Sequence, residues 1–369
     1  MFKKSLCVVP YYQAFIRPDG QYRDCCSTSP HTIKFEENFT DWWNGNAMSS
    51  LRNSLQSDIL PNQCKRCSQS ESIGSSSMRT IVAAASKNAD IKPTLPNRYQ
   101  LAFGNICNLG CWTCEENLSS VIQEEKKKLK ILPIDFVDPS IMFAKAWPSL
   151  QETILKSYEE HDEILINIWG GEPTISKDFV EFLELLVKKG LSSRTKIEMF
   201  SNCHSPKDGF QELLKNNEWA HITILASMDA VGEAGNWIRY GSNWDKVYNN
   251  FLQFKDIADY IEIQCTLSVI SARHLPELSQ FAVNHSVPLT HIPLQDPWYM
   301  NVSNWDGDMG ILGSELEYQK YGLDTTWKLF SSTPIIGASQ SLKNYINQFS
   351  NRTNDVATFN PNLHKLINS

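Results

Sequence analysis

The sequence predicts an α/β protein built on a parallel sheet, preceded by a small cysteine-rich segment. Three observations lead there. From Tyr99 onward, short apolar runs alternate with stretches of helical periodicity, the pattern of repeated βα units. One run ends in Gly170-Gly171-Glu172-Pro173, at the end of a strand where parallel α/β sheets place their ligands. And of the ten cysteines, only Cys203 and Cys265 lie beyond position 114.

Length and composition set the bounds. A chain of 369 residues allows two or three domains at about 150 residues each. Hydrophobic residues at 41% and charged residues at 20% are ordinary for a soluble globular protein. A net charge of −7 argues against a general nucleic-acid or anionic-membrane binder. No apolar run reaches the roughly 18–20 residues of a membrane span. Met1-Phe2-Lys3-Lys4 and the apolar residues up to Val9 imitate a signal peptide, but the run stops at Pro10. The expectation is a cytoplasmic protein whose thiols ligate metal rather than form disulfides.

Residues 1–95 form the first expected domain. Arg17-Pro18-Asp19-Gly20 is turn chemistry, so Tyr11 to Ile16 and Gln21 to Arg23 read as a hairpin that brings Cys7 towards Cys25. Pro61-Asn62-Gln63 introduces Cys64 and Cys67 on a loop. Four thiols gathered in this way suit a [4Fe–4S] cluster or an all-thiolate zinc site equally on spacing. Cys26 competes with Cys25, which keeps the glycine spacing. Phe39 to Leu55 carries Trp42, Trp43, Met48, Leu51 and Leu55 at helical spacing, a core-facing stripe. Residues 68–95 are rich in serine and alanine and read as a connection with a helix over Met78–Ala89.

Residues 98–300 form the second. Tyr99 to Phe103 is the first strand, and it delivers Cys107-Asn108-Leu109-Gly110-Cys111-Trp112-Thr113-Cys114, a C-x3-C-x2-C triplet. Three thiols on so short a loop converge on one metal centre. A structural zinc would need a fourth ligand, whereas a cubane held by three thiolates keeps one iron open. After an insertion with a helix over Pro139–Tyr158, Glu163 to Trp169 is a buried strand leading into Gly170-Gly171-Glu172. Ser176 caps a helix with a Phe179, Phe182, Leu183, Leu186 and Val187 stripe, ended by Gly190. Lys196 to Phe200 is the next strand, with Ser201-Asn202 at its end. His221 to Ala226 follows, then Ser227-Met228-Asp229 and Arg239-Tyr240-Gly241. Glu262 to Val269 and Pro288 to Pro293 complete six strands. Cys203 and Cys265 read as core thiols.

The triplet and the glycine-rich strand end, one βα unit apart, resemble the radical S-adenosylmethionine (SAM) superfamily. That resemblance implies a partial, open (β/α)6 TIM-like barrel with a [4Fe–4S] cluster on Cys107, Cys111 and Cys114. In the family the open iron chelates SAM, which is cleaved to a 5′-deoxyadenosyl radical that abstracts a substrate hydrogen. It further implies that Gly170, Gly171 and Glu172 hold the SAM amino group, Ser201 and Asn202 reach SAM or substrate, Ser227 bonds the ribose and Arg239 the SAM carboxylate. An arginine fork suits a carboxylate. Relatives place an aromatic residue directly before the third cysteine; here Thr113 is there, and Trp112 is the residue left to stack on adenine. Tyr240 between Arg239 and Gly241 is a second departure. The spacing of Cys7, Gly20, Cys25, Cys64 and Cys67 resembles the auxiliary-cluster module called SPASM, or its shorter form Twitch, and implies one auxiliary [4Fe–4S] cluster. The module follows the barrel in most relatives, whereas these cysteines precede it.

Residues 301–369 read as a polar C-terminal extension, with helices over Glu315–Tyr321 and Ser341–Phe349 and a turn at Asp306-Gly307-Asp308. The whole predicts a radical SAM enzyme served by a one-electron reductant such as flavodoxin or ferredoxin. Its substrate would be a peptide or a small polar metabolite. The alternative is a non-catalytic iron–sulfur or zinc protein that scaffolds a partner or carries electrons.

Overall fold

The computed structural model describes residues 7–25, 38–57, 59–72, 76–85, 95–353 and 356–369. Cys26 and the end of the helix read over Met78–Ala89 lie outside them. The chain forms two compact units. One comprises Met1–Ile106, Leu132–Met199 and Leu213–Ile222; the other comprises Cys107–Ile131, Phe200–Glu212 and Thr223–Ser369. The fold is α/β, and the eight strands among the described residues are mostly parallel.

In the first unit the strand order is β2-β1-β3-β4-β5, with β1 Gln13–Ile16, β2 Tyr22–Arg23, β3 Arg98–Leu101, β4 Ile164–Ile168 and β5 starting at Thr195 and ending at Ser201. The hairpin expected at residues 11–23 is present and antiparallel. Its first strand also pairs in parallel with β3, Gln13 opposite Arg98 and Ile16 opposite Leu101, so these residues extend the sheet. Strand β4 alternates buried Ile164, Ile166 and Ile168 with half-buried Leu165 and Asn167, the period of two that a pleated strand imposes.

Two aromatic clusters cover this sheet's residues. Phe103 packs on Phe143, Trp147 and Phe179 at 5.3, 4.8 and 5.3 Å between ring centroids. The helix Lys177–Lys188 buries Phe179, Val180, Phe182, Leu183 and Leu186, and Ser176 Oγ accepts from Phe179 N at its start. Each such side chain contributes about 1.5–3 kcal/mol. The stripe over residues 39–55 belongs to two helices, Phe39–Asn44 and Asn46–Gln56, with Gly45 in extended conformation between them. Arg52, 5% exposed, donates to the carbonyls of Pro10 at 2.9 Å and Trp43 at 2.8 Å and lies 4.5 Å from the Trp43 ring centre. Its charge is thereby spread over backbone acceptors and a π face.

In the second unit β6, which starts at His221 and ends at Ser227, pairs in parallel with β7 (Tyr260–Leu267), and β7 with β8 (Leu289–Pro293). Cys265 is 2% exposed in β7 and Cys203 1% exposed, core positions as expected. Residues 301–369 are more than a polar extension. Trp305, Tyr318, Leu342, Ile346, Val356 and Leu363 are all fully buried, so sparse apolar positions among many asparagines and serines suffice to anchor the segment. Asp306 accepts from the backbone N–H groups of Gly337 at 2.6 Å and Ser339 at 2.7 Å, which fixes the start of helix Ala338–Gln348. Among the described residues no helix is long and apolar enough to cross a membrane.

His274 closes the short turn Ala272–His274, 6% exposed, with the Phe359 ring 5.8 Å away. Burial first, and Arg273 second, push its pKa down to about 4. An unfolded histidine titrates near pH 6.5, so below that pH the unfolded chain binds the extra proton. This contribution is intact above about pH 6.5 and falls by up to about 3 kcal/mol as pH drops towards about 4. Urea midpoints between about pH 7 and pH 4.5 should therefore fall further in the wild type than in His274→Gln.

Candidate active site

The C-x3-C-x2-C loop belongs wholly to the second unit and is pinned from several sides. Ser119 Oγ donates to Leu109 O at 2.7 Å, and Ser120 Oγ accepts from Cys107 N at 3.1 Å. Gly110 N donates to Tyr240 O at 2.9 Å and Trp112 N to Ile238 O at 3.0 Å. Each bond places a polar residue just after the loop, or the backbone of the 238–240 turn, against a loop amide or carbonyl. Leu109 and Trp112 are buried, and the three cysteines are half-buried.

The thiols feel one another. Burial is the main cause that pushes Cys114 well above the usual thiol range, and negative charge on Cys111 and Cys107 adds to it. Cys111 is raised by burial as well, although Arg239 pulls it back and Arg352 does so more weakly. Clustered thiolates in a desolvated loop need a cation, and a donor set of thiolates alone is what iron–sulfur clusters take. Among the described residues no three His, Cys, Asp or Glu side chains are arranged to hold a single metal ion. Thiolates sharing one tetrahedral zinc would stand about 3.8 Å apart, given bonds of about 2.3 Å. A cubane spreads them more widely, because each sulfur bonds a different iron.

Around the loop, Asn202 Nδ2 donates to Asn108 Oδ1 at 2.8 Å, while Asn202 Oδ1 accepts from His204 N at 2.9 Å. Asn202 therefore meets the cysteine loop directly. Ser201 Oγ accepts from Cys203 N at 3.0 Å, and Cys203 takes φ +56°, the left-handed region that favours glycine. Ser227 lies half-buried at the end of β6, opposite Gln264. Arg239 forms a buried ion pair with Asp229, Nε to Oδ2 at 2.9 Å, and Asp229 Oδ1 accepts from Thr266 N at 2.7 Å. Burial opposes the Arg239 charge, but Asp229, followed by Cys111, holds its pKa above the ordinary value. Arg239, read as a SAM carboxylate partner, thus has Asp229 as its charge partner in this structure.

Trp112, read as an adenine-stacking residue, is 1% exposed. Its ring packs at 5.2 Å from Trp237 and 5.9 Å from both Tyr345 and Phe349. Sequence reasoning missed Arg352, which sits in the same cluster 3% exposed and donates to Gly110 O at 2.6 Å. One arginine in a polar stretch, 242 positions from its acceptor, carries no local signal.

In the first unit, Gly170 and Gly171 both take positive φ, +74° and +60°. A Cβ on Gly171 would stand 2.6 Å from Ile106 O, and the next amide, Glu172 N, donates to that same oxygen at 2.8 Å. Glycine is required here by both conformation and clearance. Glu172 is 1% exposed, and its Oε1 accepts from Thr174 Oγ1 at 2.7 Å and from Thr174 N at 3.3 Å.

The four N-terminal cysteines also come together. Cys7, Cys25, Cys64 and Cys67 line one small cavity of about 30 Å³, with Arg79 and Met78 on its wall. Burial pushes Cys7 up to about 11 and Cys64 up to about 12. Arg79 is ion-paired with Glu71, and Gln63 Nε2 donates to Asp24 Oδ2 at 2.7 Å. The gathering follows from the hairpin, which carries Cys25 back, and from the turn Asn62–Cys64 that opens helix Lys65–Ser72.

Gly171→Ala should cost about 2–3 kcal/mol, combining a left-handed alanine with a forced backbone shift. Gly190→Ala is the control. It shares positive φ, but its Cβ would meet nothing within 4 Å, so about 1 kcal/mol is expected. Thermal unfolding of the two variants checks the difference.

No family model matches the chain, and no curated protein does. Among solved structures, native anSMEcpe with bound AdoMet matches at TM-score 0.42 and 19% identity, covering 68% of this chain and 66% of its own. Streptococcus suis SuiB bound to S-adenosylmethionine matches at TM-score 0.40 and 14% identity, over 82% of this chain and 52% of its own. TYW1 with a lysine-pyruvate adduct bound matches at TM-score 0.33 and 16% identity, over 61% of this chain and 72% of its own. The matched part spans just under two thirds of the anSMEcpe chain and about half of SuiB.

Proposed function

We propose that the chain is a radical SAM enzyme that holds a [4Fe–4S] cluster on Cys107, Cys111 and Cys114. An auxiliary [4Fe–4S] cluster is placed on Cys7, Cys25, Cys64 and Cys67, in the segment 1–95. The observation that carries the reading is the loop itself. It presents three cysteines and no fourth, with Leu109 and Trp112 buried and its amides fixed to Tyr240 and Ile238. When bound, such a cluster supplies the single electron for reductive cleavage of SAM, the chemistry behind hydrogen abstraction from a substrate.

The chain's own residues have separate tasks in this reading. The three thiolates bind. Arg239 sets positive charge against Cys111, and its ion-pair partner Asp229 offsets part of that effect. Asn202 orients the loop through Asn108. Gly170 and Gly171 supply the positive-φ turn that carries Glu172, and all three are assigned to the SAM amino group. A one-electron donor such as flavodoxin or ferredoxin is the implied partner, and a peptide or small polar metabolite the implied substrate.

One observation favours a second reading, an iron–sulfur or zinc protein that scaffolds or carries electrons. The Glu172 carboxylate is buried and engaged by Thr174, the arrangement of an ordinary turn cap.

Anaerobic reconstitution followed by dithionite and SAM separates the two. The enzyme reading expects 5′-deoxyadenosine from the wild type and none from Cys111→Ala. It also expects about eight iron and eight sulfide per chain, falling to about four in Cys64→Ala/Cys67→Ala. Full iron content without 5′-deoxyadenosine would establish the second reading, and zinc in the N-terminal cavity would remove the auxiliary cluster.

A further inference from the structure

We infer that Arg352 is a positioning residue for the loop of Cys107, Cys111 and Cys114, and that its guanidinium supplies the fixed positive charge that raises the potential of a cluster bound there. The second half rests on the function proposed above; the first half does not.

The guanidinium is almost wholly buried, at 3% exposure. Its Nη1 donates to Gly110 O at 2.6 Å, and its Nε donates to Glu125 Oε1 at 2.9 Å in an ion pair. Its central carbon lies 4.3 Å from the Tyr240 ring centre, 4.8 Å from Phe349 and 5.3 Å from Trp112. The backbone around it is fixed too, for Trp237 Nε1 donates to Arg352 O at 2.7 Å. One side chain thus joins the loop, through Gly110, to the helix that follows it, Ser120–Lys128, and to the ring beside Arg239.

The sequence of the loop has given way to this arginine. A Cβ on Gly110 would lie 2.8 Å from Arg352 Nη2 and 3.2 Å from Val121 Cγ1. Glycine sits there with ordinary φ, so clearance rather than conformation explains it. Burying an arginine against a single carboxylate costs desolvation that packed apolar side chains would avoid. A requirement for charge at this place accounts for that cost. Thiolate-ligated clusters carry net negative charge, and their potentials follow the local charge and hydrogen bonds. A cation beside the loop favours the added electron.

Two measurements on the full-length chain test this. In the metal-free protein, Arg352→Gln should speed amide hydrogen exchange at Gly110 and Trp112 about tenfold relative to wild type. In the reconstituted protein bearing Cys64→Ala/Cys67→Ala, so that only the loop cluster titrates, Arg352→Gln should lower the midpoint potential. Arg352→Lys should hold it near wild type, because it keeps the charge. Glu125→Gln leaves the guanidinium in place and removes its counter-charge, so it should move the potential upward; it serves if Arg352→Gln fails to fold. A potential unchanged in Arg352→Gln or in Glu125→Gln, even with a lower melting temperature, overturns the charge role. Unchanged exchange at Gly110 and Trp112 overturns the positioning role. If the wild type takes up no iron, the proposed function and the charge role fall together, while faster exchange in the metal-free variant would still uphold the positioning.

Discussion

The constraint on which the site depends is electrostatic. Three half-buried thiols share an eight-residue loop, and negative charge on Cys111 and Cys107 adds to the burial that raises Cys114. Nothing in that arrangement is self-sustaining without positive charge. The protein supplies part of it through Arg239 and Arg352, both of which ease the ionisation of Cys111. Each arginine is in turn paired with one carboxylate, Asp229 or Glu125. Two arginine–carboxylate pairs thus lie beside the cysteine loop, and the Tyr240, Phe349 and Trp112 rings pack around the Arg352 guanidinium. The N-terminal cavity poses the same problem with four thiols, and there Arg79 and Glu71 form the nearby pair.

Much of the fold was legible because strands leave a local trace. The run Ile164 to Ile168 is apolar but for Asn167 and forms a strand, and the six strands from Arg98 to Pro293 each stand where an apolar run was. Ser176 and Gly190 marked the ends of their helix for reasons confined to a few residues. What could not be read was pairing at long range. The hairpin at residues 13–23 looked like part of a separate module, yet β1 forms a ladder with β3 more than 80 positions on. No feature of Gln13 or Ala14 distinguishes the two outcomes.

The site divides along the same line. The cysteines and the two glycines were visible, because their chemistry or conformation admits few substitutes. Trp112 was read as facing a ligand from its place beside a cysteine, whereas its packing on Trp237, Tyr345 and Phe349 depends on residues far along the chain. Glu172 was placed correctly at the strand end, but its bond to Thr174 Oγ1 depends on rotamers that no pattern encodes. The 301–369 segment was undervalued for a compositional reason. Its buried Trp305, Tyr318 and Leu342 are too thinly spread among polar residues to lift the average.

The bond between Gly110 and Arg352 closes a loop of 242 positions. During synthesis the cysteine loop leaves the ribosome long before its clamp exists, and domains that depend on a late segment fold only once it has emerged. Three reactive thiols therefore spend most of translation without the contact that orders them. The clamped form of the loop thus requires residue 352 to be in place.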